Sequence, residues 1–277
     1  MMTIEKDVLF FDTETTGVPD YKLSWETDFN KYPHIVQLAW IYRGKEHSYI
    51  IKPEGWEIPE EAVAVHGITT EQAIKEGKPI EEVLGEFIGW CLNAKLICGH
   101  NIHFDTSIIK ANILRRFGPY KYDAARVEEA LYKGKRIDTM RPSMKWVDAR
   151  TSNGRMKFPR LEELYSRCFP GESFPAHDAL ADTKAVARCL PVLLKLGLVE
   201  LKVKEYPGEE IGKFVAAQPV QTDSFGRVPL EKAHIAPILN AKPEDDKLPV
   251  GSVQGPQIAN SAKITDSAVE LLNQNDF

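Results

Sequence analysis

Val8-Leu9-Phe10-Phe11-Asp12-Thr13-Glu14 is the stretch that decides how the rest of this chain is read. Four consecutive apolar residues suit a strand buried on both faces, the condition of a central strand in a sheet covered by helices. The run ends on one carboxylate, and a second follows two residues later. Side chains two apart on a strand share a face, so Asp12 and Glu14 project side by side from the strand's end. Carboxylates at that range raise one another's pKa or hold a cation between them, and Mg²⁺, a hard ion that takes oxygen ligands, suits the second case. The pair alone is weak support for chemistry, because an Asp-x-Glu arises readily by chance and an aspartate at a strand end is also an ordinary turn residue.

Outward from this strand, residues 34–42 and 48–51 read as its neighbours in a sheet. Residues 59–65 and 70–75 suit short helices. Between Pro79 and Leu92 the apolar residues Ile80, Val83, Leu84, Phe87, Ile88 and Cys91 recur at the spacing of an amphipathic helix. Residues 95–98 and 136–140 supply two more strands, and residues 105–117, 161–168 and 178–196 three more helices, the last with Pro191 marking a kink or a new first turn. The expectation is an α/β fold, a mixed five-stranded sheet flanked by helices. Composition changes near Val199. Pro207, Pro219, Pro229, Pro237, Pro243, Pro249 and Pro256 then punctuate a stretch with few apolar runs. The predicted organisation is therefore a folded domain over 1–199 and a flexible, proline-rich linker and tail over 200–277.

With 277 residues, 43% of them hydrophobic and 27% charged, the chain can bury one sizeable core plus an appendage. Cys91, Cys98, Cys168 and Cys189 form no C-x-x-C pair and fall in apolar segments, which fits buried thiols in a reducing cytoplasm. No apolar run approaches the roughly 20 residues of a membrane span, and the N-terminal residues lack the apolar core of a signal peptide. A cytoplasmic protein without a membrane partner is expected. The formal net charge of -5 hides an uneven distribution: residues 110–160 carry 14 Lys and Arg against 5 Asp and Glu. Such an excess could attract phosphates, or it could be a solvated face.

Two further acidic motifs follow the first. Asp105 closes Gly99-His100-Asn101-Ile102-His103-Phe104-Asp105 at a strand-to-helix junction, where a carboxylate either caps the helix or reaches the site. His100, His103 and Asp105 also invite a zinc reading, which the lack of a fourth ligand at a usual zinc spacing disfavours. His177 and Asp182 stand five residues apart, about 140° around a helix, so both cannot face one way if both are helical. His177 is therefore expected in the loop after Pro175, with Asp182 inside the helix.

Together, Asp12-Thr-Glu14-Thr-Thr-Gly17, Gly99-His-Asn-Ile-His-Phe-Asp105 and His177-Asp-Ala-Leu-Ala-Asp182 resemble the three motifs of the DEDDh (DnaQ-like) exonuclease family. The resemblance covers roughly residues 7–196. It implies a ribonuclease-H-like fold and 3′-to-5′ removal of nucleotides with two Mg²⁺ (or Mn²⁺) ions. By that likeness Asp12, Glu14, Asp105 and Asp182 are metal ligands or supports and His177 is the general base. His66-Gly67-Ile68-Thr69 looks like the family's substrate-side loop, so His66, Thr15 and Phe104 are expected to border the terminal nucleotide, against plain roles as caps or core.

The main expectation is thus a DNA exonuclease similar to the proofreading ε subunit of bacterial replicases or to a stand-alone relative. The rival is an RNA exonuclease of the ribonuclease T or oligoribonuclease kind, because the catalytic groups do not touch the sugar feature that separates the two polymers. A non-catalytic binding subunit has no use for carboxylates clustered against their own repulsion. In the tail, Gln221-Thr-Asp-Ser-Phe225 resembles the short clamp-binding peptide of bacterial replication proteins, although Ser224 stands where an apolar residue is usual. Ser267-Ala-Val-Glu270 forms a capping box before Leu271 and Leu272 and could seat a short partner-binding helix. A polymerase or a sliding clamp is the partner these segments imply.

Overall fold

The computed structural model describes residues 2–20, 22–118 and 124–204. The proline-rich stretch, with Gln221, Phe225 and the capping box at 267–270, lies outside the described residues. The elements run α1 (Ile4–Asp7), β1 (Val8–Thr15), β2 (Ile35–Tyr42), β3 (Lys45–Ile50), α2 (Glu60–His66), α3 (Thr70–Glu76), α4 (Ile80–Asn93), β4 (Leu96–Gly99), α5 (Ile102–Phe117), α6 (Ala124–Ala130), β5 (Arg136–Asp138), α7 (Met140–Val147), α8 (Leu161–Cys168) and α9 (Ala179–Lys195).

The five strands form one mixed sheet in the order β3-β2-β1-β4-β5, so the strand ending in Asp12 and Glu14 is central. β1 pairs antiparallel with β2 and parallel with β4, and β4 pairs parallel with β5. β2 turns into β3 through Arg43 and Gly44, both at positive φ (51° and 73°), the backbone of a tight hairpin whose twist matches its strands. β1 and β2 are buried along nearly their whole length. β3 is an edge strand whose first two residues are exposed, which is why Lys45-Glu-His carries no apolar alternation and the strand starts earlier than the sequence suggests.

Helices cover both faces. On one, Val8, Phe10, Leu96 and Cys98 pack against Leu164 and Tyr165 of α8 and Val186, Cys189 and Leu193 of α9. On the other, Phe87 of α4 meets Phe11 (ring centroids 5.1 Å apart) and Trp40 (5.4 Å). α9 continues through Pro191 without a new first turn. After it, Leu201 still packs on the core and the Lys204 amide donates to the Gly134 carbonyl at 3.1 Å. Met140 belongs to α7 rather than to β5. Pro142 is tolerated there because the first turn of a helix leaves its amide hydrogens unpaired anyway. All four cysteines are free thiols. Among the described residues, no helix is long and apolar enough to cross a membrane.

Candidate active site

The site lies where β1 ends. Strand alternation puts Val8 and Phe10 on the α8–α9 face, and Asp12 and Glu14 continue that face beyond the apolar core. α9 starts opposite them. Asp178 is its N-cap, accepting from the Ala181 amide at 2.9 Å, and Asp182 sits one turn inside. His177 precedes the cap at φ 68°, a left-handed conformation that few non-glycine residues adopt, with its amide 3.4 Å from Asp182 Oδ2. Glu14, His177 and Asp182 thus bring ligand atoms within 4.8 Å of one another.

Asp105 arrives from the first turn of α5, not as its cap, a place held by Asn101 at φ 63°. Its carboxylate accepts from the Thr13 hydroxyl at 2.7 Å and from the Thr13 amide at 3.2 Å. The helix is anchored by Asp138 of β5, whose Oδ1 accepts from both the Asn101 and the Met140 amides at 3.0 Å. His100 lies between the Thr139 hydroxyl (3.0 Å) and the Pro159 carbonyl (2.9 Å), so both ring nitrogens are occupied structurally and a zinc role is closed to it. His66 ends α2, accepts from the Ile68 amide at 3.1 Å through Nδ1, and has its Nε2 buried without a partner. Thr15 is buried with its hydroxyl donating to the Gly17 carbonyl at 2.6 Å, and Phe104 is half-buried.

The Exonuclease (RNase_T) family model matches residues 9–190, which contain every one of these groups. The chain belongs to this exonuclease family. No curated protein matches it, whereas solved exonucleases share its fold. Exonuclease I from Methylocaldum szegediense superposes with a TM-score of 0.52 at 20% identity, over 69% of this chain and 40% of that one. E. coli Exonuclease I in complex with a dA16 oligonucleotide gives 0.50 at 23% identity, over 70% and 42%. The same enzyme with a dT13 oligonucleotide gives 0.51 at 22%, over 68% and 41%. This exonuclease-family chain therefore spans less than half the length of these structures.

The electrostatics of this site ask for a cation. Burial first, then the charges of Asp105, Asp182 and Glu14, push the Asp12 carboxyl well above the usual carboxylate range. Burial and Asp182 push Glu14 up to about 8. Burial raises Asp105 to about 7 against the two Thr13 hydrogen bonds, and burial raises Asp182 to about 7 with Glu162 and Asp178 adding to it. Asp182 Oδ1 is buried without a hydrogen-bond partner. A divalent ion answers both the crowding and the orphaned oxygen, and a donor set of carboxylate oxygens fits Mg²⁺ or Mn²⁺.

Three contributors to this candidate site carry no mark in the sequence motifs. Gln37 of β2, in register with Glu14, donates to Asp178 Oδ2 and to the Ser48 hydroxyl and accepts from the Ala179 amide, each at 3.1 Å. Its signal was there, an amide inside the apolar run Ile35-Val-Gln-Leu-Ala-Trp, since a buried polar group must find partners. Glu162 of α8 sets Oε1 3.8 Å from His177 Nε2. Thr13 is the third, through Asp105.

The basic stretch is largely consumed internally. Arg115 donates to the Phe29 carbonyl (2.7 Å), the Tyr32 carbonyl, Asn112 Oδ1 (2.9 Å) and His34 Nδ1 (3.1 Å). Arg116 is paired with Glu54 (2.9 Å) and Glu81, and Lys110 with Glu128 (2.6 Å). Lys135 and Arg136 bind backbone carbonyls at 2.8 Å. These five are structural, so fewer of the basic groups in residues 110–160 are free for phosphates than the charge count suggests.

Proposed function

We propose that the chain is a metal-dependent 3′-to-5′ exonuclease that releases nucleotides from single-stranded or frayed DNA ends. The close set formed by Glu14, His177 and Asp182 carries this reading. Asp12, Glu14 and Asp182 would hold two Mg²⁺ (or Mn²⁺) ions, with Asp105 supporting them from the other side through Thr13. When bound, such ions supply positive charge for the phosphodiester transition state and acidify a water.

The chain's own groups do the rest. His177, half exposed at the mouth of the site, takes the proton of the attacking water and must be neutral to do so. Glu162 faces the imidazole and restrains its orientation. His66, with an unpartnered Nε2 and with His177 and the Thr15 backbone as neighbours, borders the terminal nucleotide together with Thr15 and Phe104. A free end must leave its stack to reach groups this deep, which favours single strands.

The oligonucleotides bound by the Exonuclease I neighbours support DNA as the polymer. Proofreading beside a polymerase or on a sliding clamp is the finer extension of this reading, supported by the likeness to the replicase ε subunit. The test uses end-labelled single-stranded DNA, single-stranded RNA of the same sequence and a mismatched duplex, each with Mg²⁺ or EDTA. Stepwise shortening from the 3′ end of the DNA strand, abolished by EDTA, is expected. Faster shortening of the RNA would replace DNA by RNA as substrate, and cleavage that survives EDTA would remove the metal assignment.

A further inference from the structure

The strand that enters this site has to leave it across some surface, and the sheet order narrows the choice. β1 stands between β2–β3 on one side and β4–β5 on the other. The His66 loop belongs to the β2–β3 side, where Ile68 packs with Val36 and Ile58. The terminal nucleotide is assigned there. Upstream nucleotides then cross the β5 side.

On that side stands a group that the fold does not use. Arg141, in the first turn of α7, holds its guanidinium 5.1 Å from the centre of the Phe158 ring. Phe158 is 46% exposed and neighbouring Met156 is 44% exposed, uncommon values for large apolar side chains. Among the described residues Arg141 has one acidic neighbour within ion-pair distance, Asp138 at 3.8 Å, and it remains largely open to water. Exposed Lys133 has no acidic partner within ion-pair distance among the described residues. Two links fix this group beside the catalytic residues. Pro159, next to Phe158, has its carbonyl held by His100, and the chain runs from there into Glu162, which faces His177. Asp138, three residues before Arg141, holds the Asn101 amide at the start of the helix that carries His103, Phe104 and Asp105. The positive charges of Arg136, Arg141, Lys110 and Lys133 all reach exposed His103.

We propose that Arg141 and Phe158, flanked by Met156, Lys133 and His103, form the platform over which single-stranded nucleic acid runs upstream of the scissile bond. The inference rests on the exonuclease reading and adds where the polymer lies. A planar guanidinium layered on an aromatic ring offers a base a stacking surface and a phosphate a charge. It reads no sequence, since every base has a π face. That is the recognition a nuclease working along a strand requires. The surrounding sign is right for the occupant: Arg141 and Lys133 present basic groups, and the carboxylate beside them, Asp138, accepts from two backbone amides.

The test compares a 12-nucleotide single strand with a mononucleotide ester, thymidine 5′-(p-nitrophenyl phosphate), which fills the site without reaching the platform. Phe158→Ala and Arg141→Ala are each expected to raise KM for the 12-mer about tenfold. Neither should change kcat/KM for the ester, and Arg141→Ala should lower the salt dependence of strand binding by about one phosphate contact. Phe158→Tyr, which keeps the ring, should retain the parent KM and guards against a folding artefact. An unchanged 12-mer KM in both alanine variants, with the parent chain active, overturns the platform and leaves the exonuclease reading standing. Equal losses on both substrates overturn it too, by placing these residues in the catalytic machinery or the fold. A parent chain that hydrolyses neither substrate overturns the reading beneath it, and the platform with it.

Discussion

Gln37 and Asp178, far apart in the chain, meet at 3.1 Å, side-chain amide to carboxylate. Because Gln37 also accepts from the Ala179 amide and lies in register with Glu14, one side chain fixes the start of α9 against the strand that supplies the carboxylates. Reversing the amide would set its oxygen against the Asp178 carboxylate and its NH₂ against the Ala179 N–H, so the network defines its orientation. Groups that orient metal ligands typically cost about 10- to 100-fold in metal affinity or activity when removed. Gln37→Leu is therefore expected to lower kcat and Mn²⁺ affinity within that range. Asp178→Ser, which still caps the helix but cannot reach Gln37, should move both the same way. Mn²⁺ titration of the folded variants checks this, and parent-like affinity in both would reduce Gln37 to a packing residue.

Stability of the metal-free protein should fall as pH rises. Glu14 is pushed up to about 8 and Asp105 and Asp182 to about 7, whereas in the unfolded chain such groups titrate near 4, about their ordinary values. The folded state thus holds these protons more tightly. Their contribution is fully present below about pH 4 and is lost as pH climbs through 7 to 8. Melting curves in EDTA from pH 5 to 8.5 should show a declining Tm, flattened by Glu14→Gln. Mn²⁺ should restore more stability at pH 8 than at pH 5 and release protons on binding. A Tm independent of both pH and metal would contradict the crowded-carboxylate account.

Loss of any one of Asp12, Glu14, Asp105 or Asp182 to alanine is expected to reduce hydrolysis by at least about 10²- to 10³-fold, the scale of removing one stabilising group at a transition state. Asp182→Asn should meanwhile raise the metal-free Tm at pH 8 by relieving repulsion. Activity near that of the parent in any of the four would detach that residue from the site.

His177→Ala should be slow rather than dead, down about 10²- to 10⁴-fold, because the carboxylates and any ions they hold remain. Single-turnover rates measure this directly. A rate equal to the parent at neutral pH would make the histidine structural.

Arg115 gives the opposite signature to Arg141. Its guanidinium serves two carbonyls, an amide oxygen and His34, whose imidazole is held down to about 4 by burial and by the guanidinium. Arg115→Ala should cost about 2–4 kcal/mol of stability, through several unsatisfied buried acceptors, with the salt dependence of strand binding unchanged. Denaturant unfolding and salt titration separate these outcomes.

Much of this was legible in the sequence because the signals are local. Val8 to Phe11 and residues 34–42 read as strands because central strands are apolar on both faces, and α4 shows its stripe because its apolar residues recur at helical spacing. The edge strand β3 begins in polar residues, and α7 hides behind Pro142, so neither obeyed the pattern. At the site, residue types and order picked out the carboxylates and the histidine, and the structure gathers Glu14, His177 and Asp182. Which group restrains which was not legible. Thr13 with Asp105, Gln37 with Asp178 and Glu162 with His177 are contacts across the fold, and none has a local signature. Charge density misled for a related reason: a run of lysines and arginines does not show which of them the fold spends on its own carbonyls and glutamates.

The central place of β1 also bears on synthesis. Its residues emerge early, yet their partners on both sides, β2 and β4, and the helix that closes over Asp12 and Glu14 come later, α9 last of the described elements. Contacts spanning so much chain form late in folding. A nascent polypeptide shorter than residue 182 lacks one of the clustered carboxylates, so the group formed by Glu14, His177 and Asp182 assembles only when the domain is nearly finished.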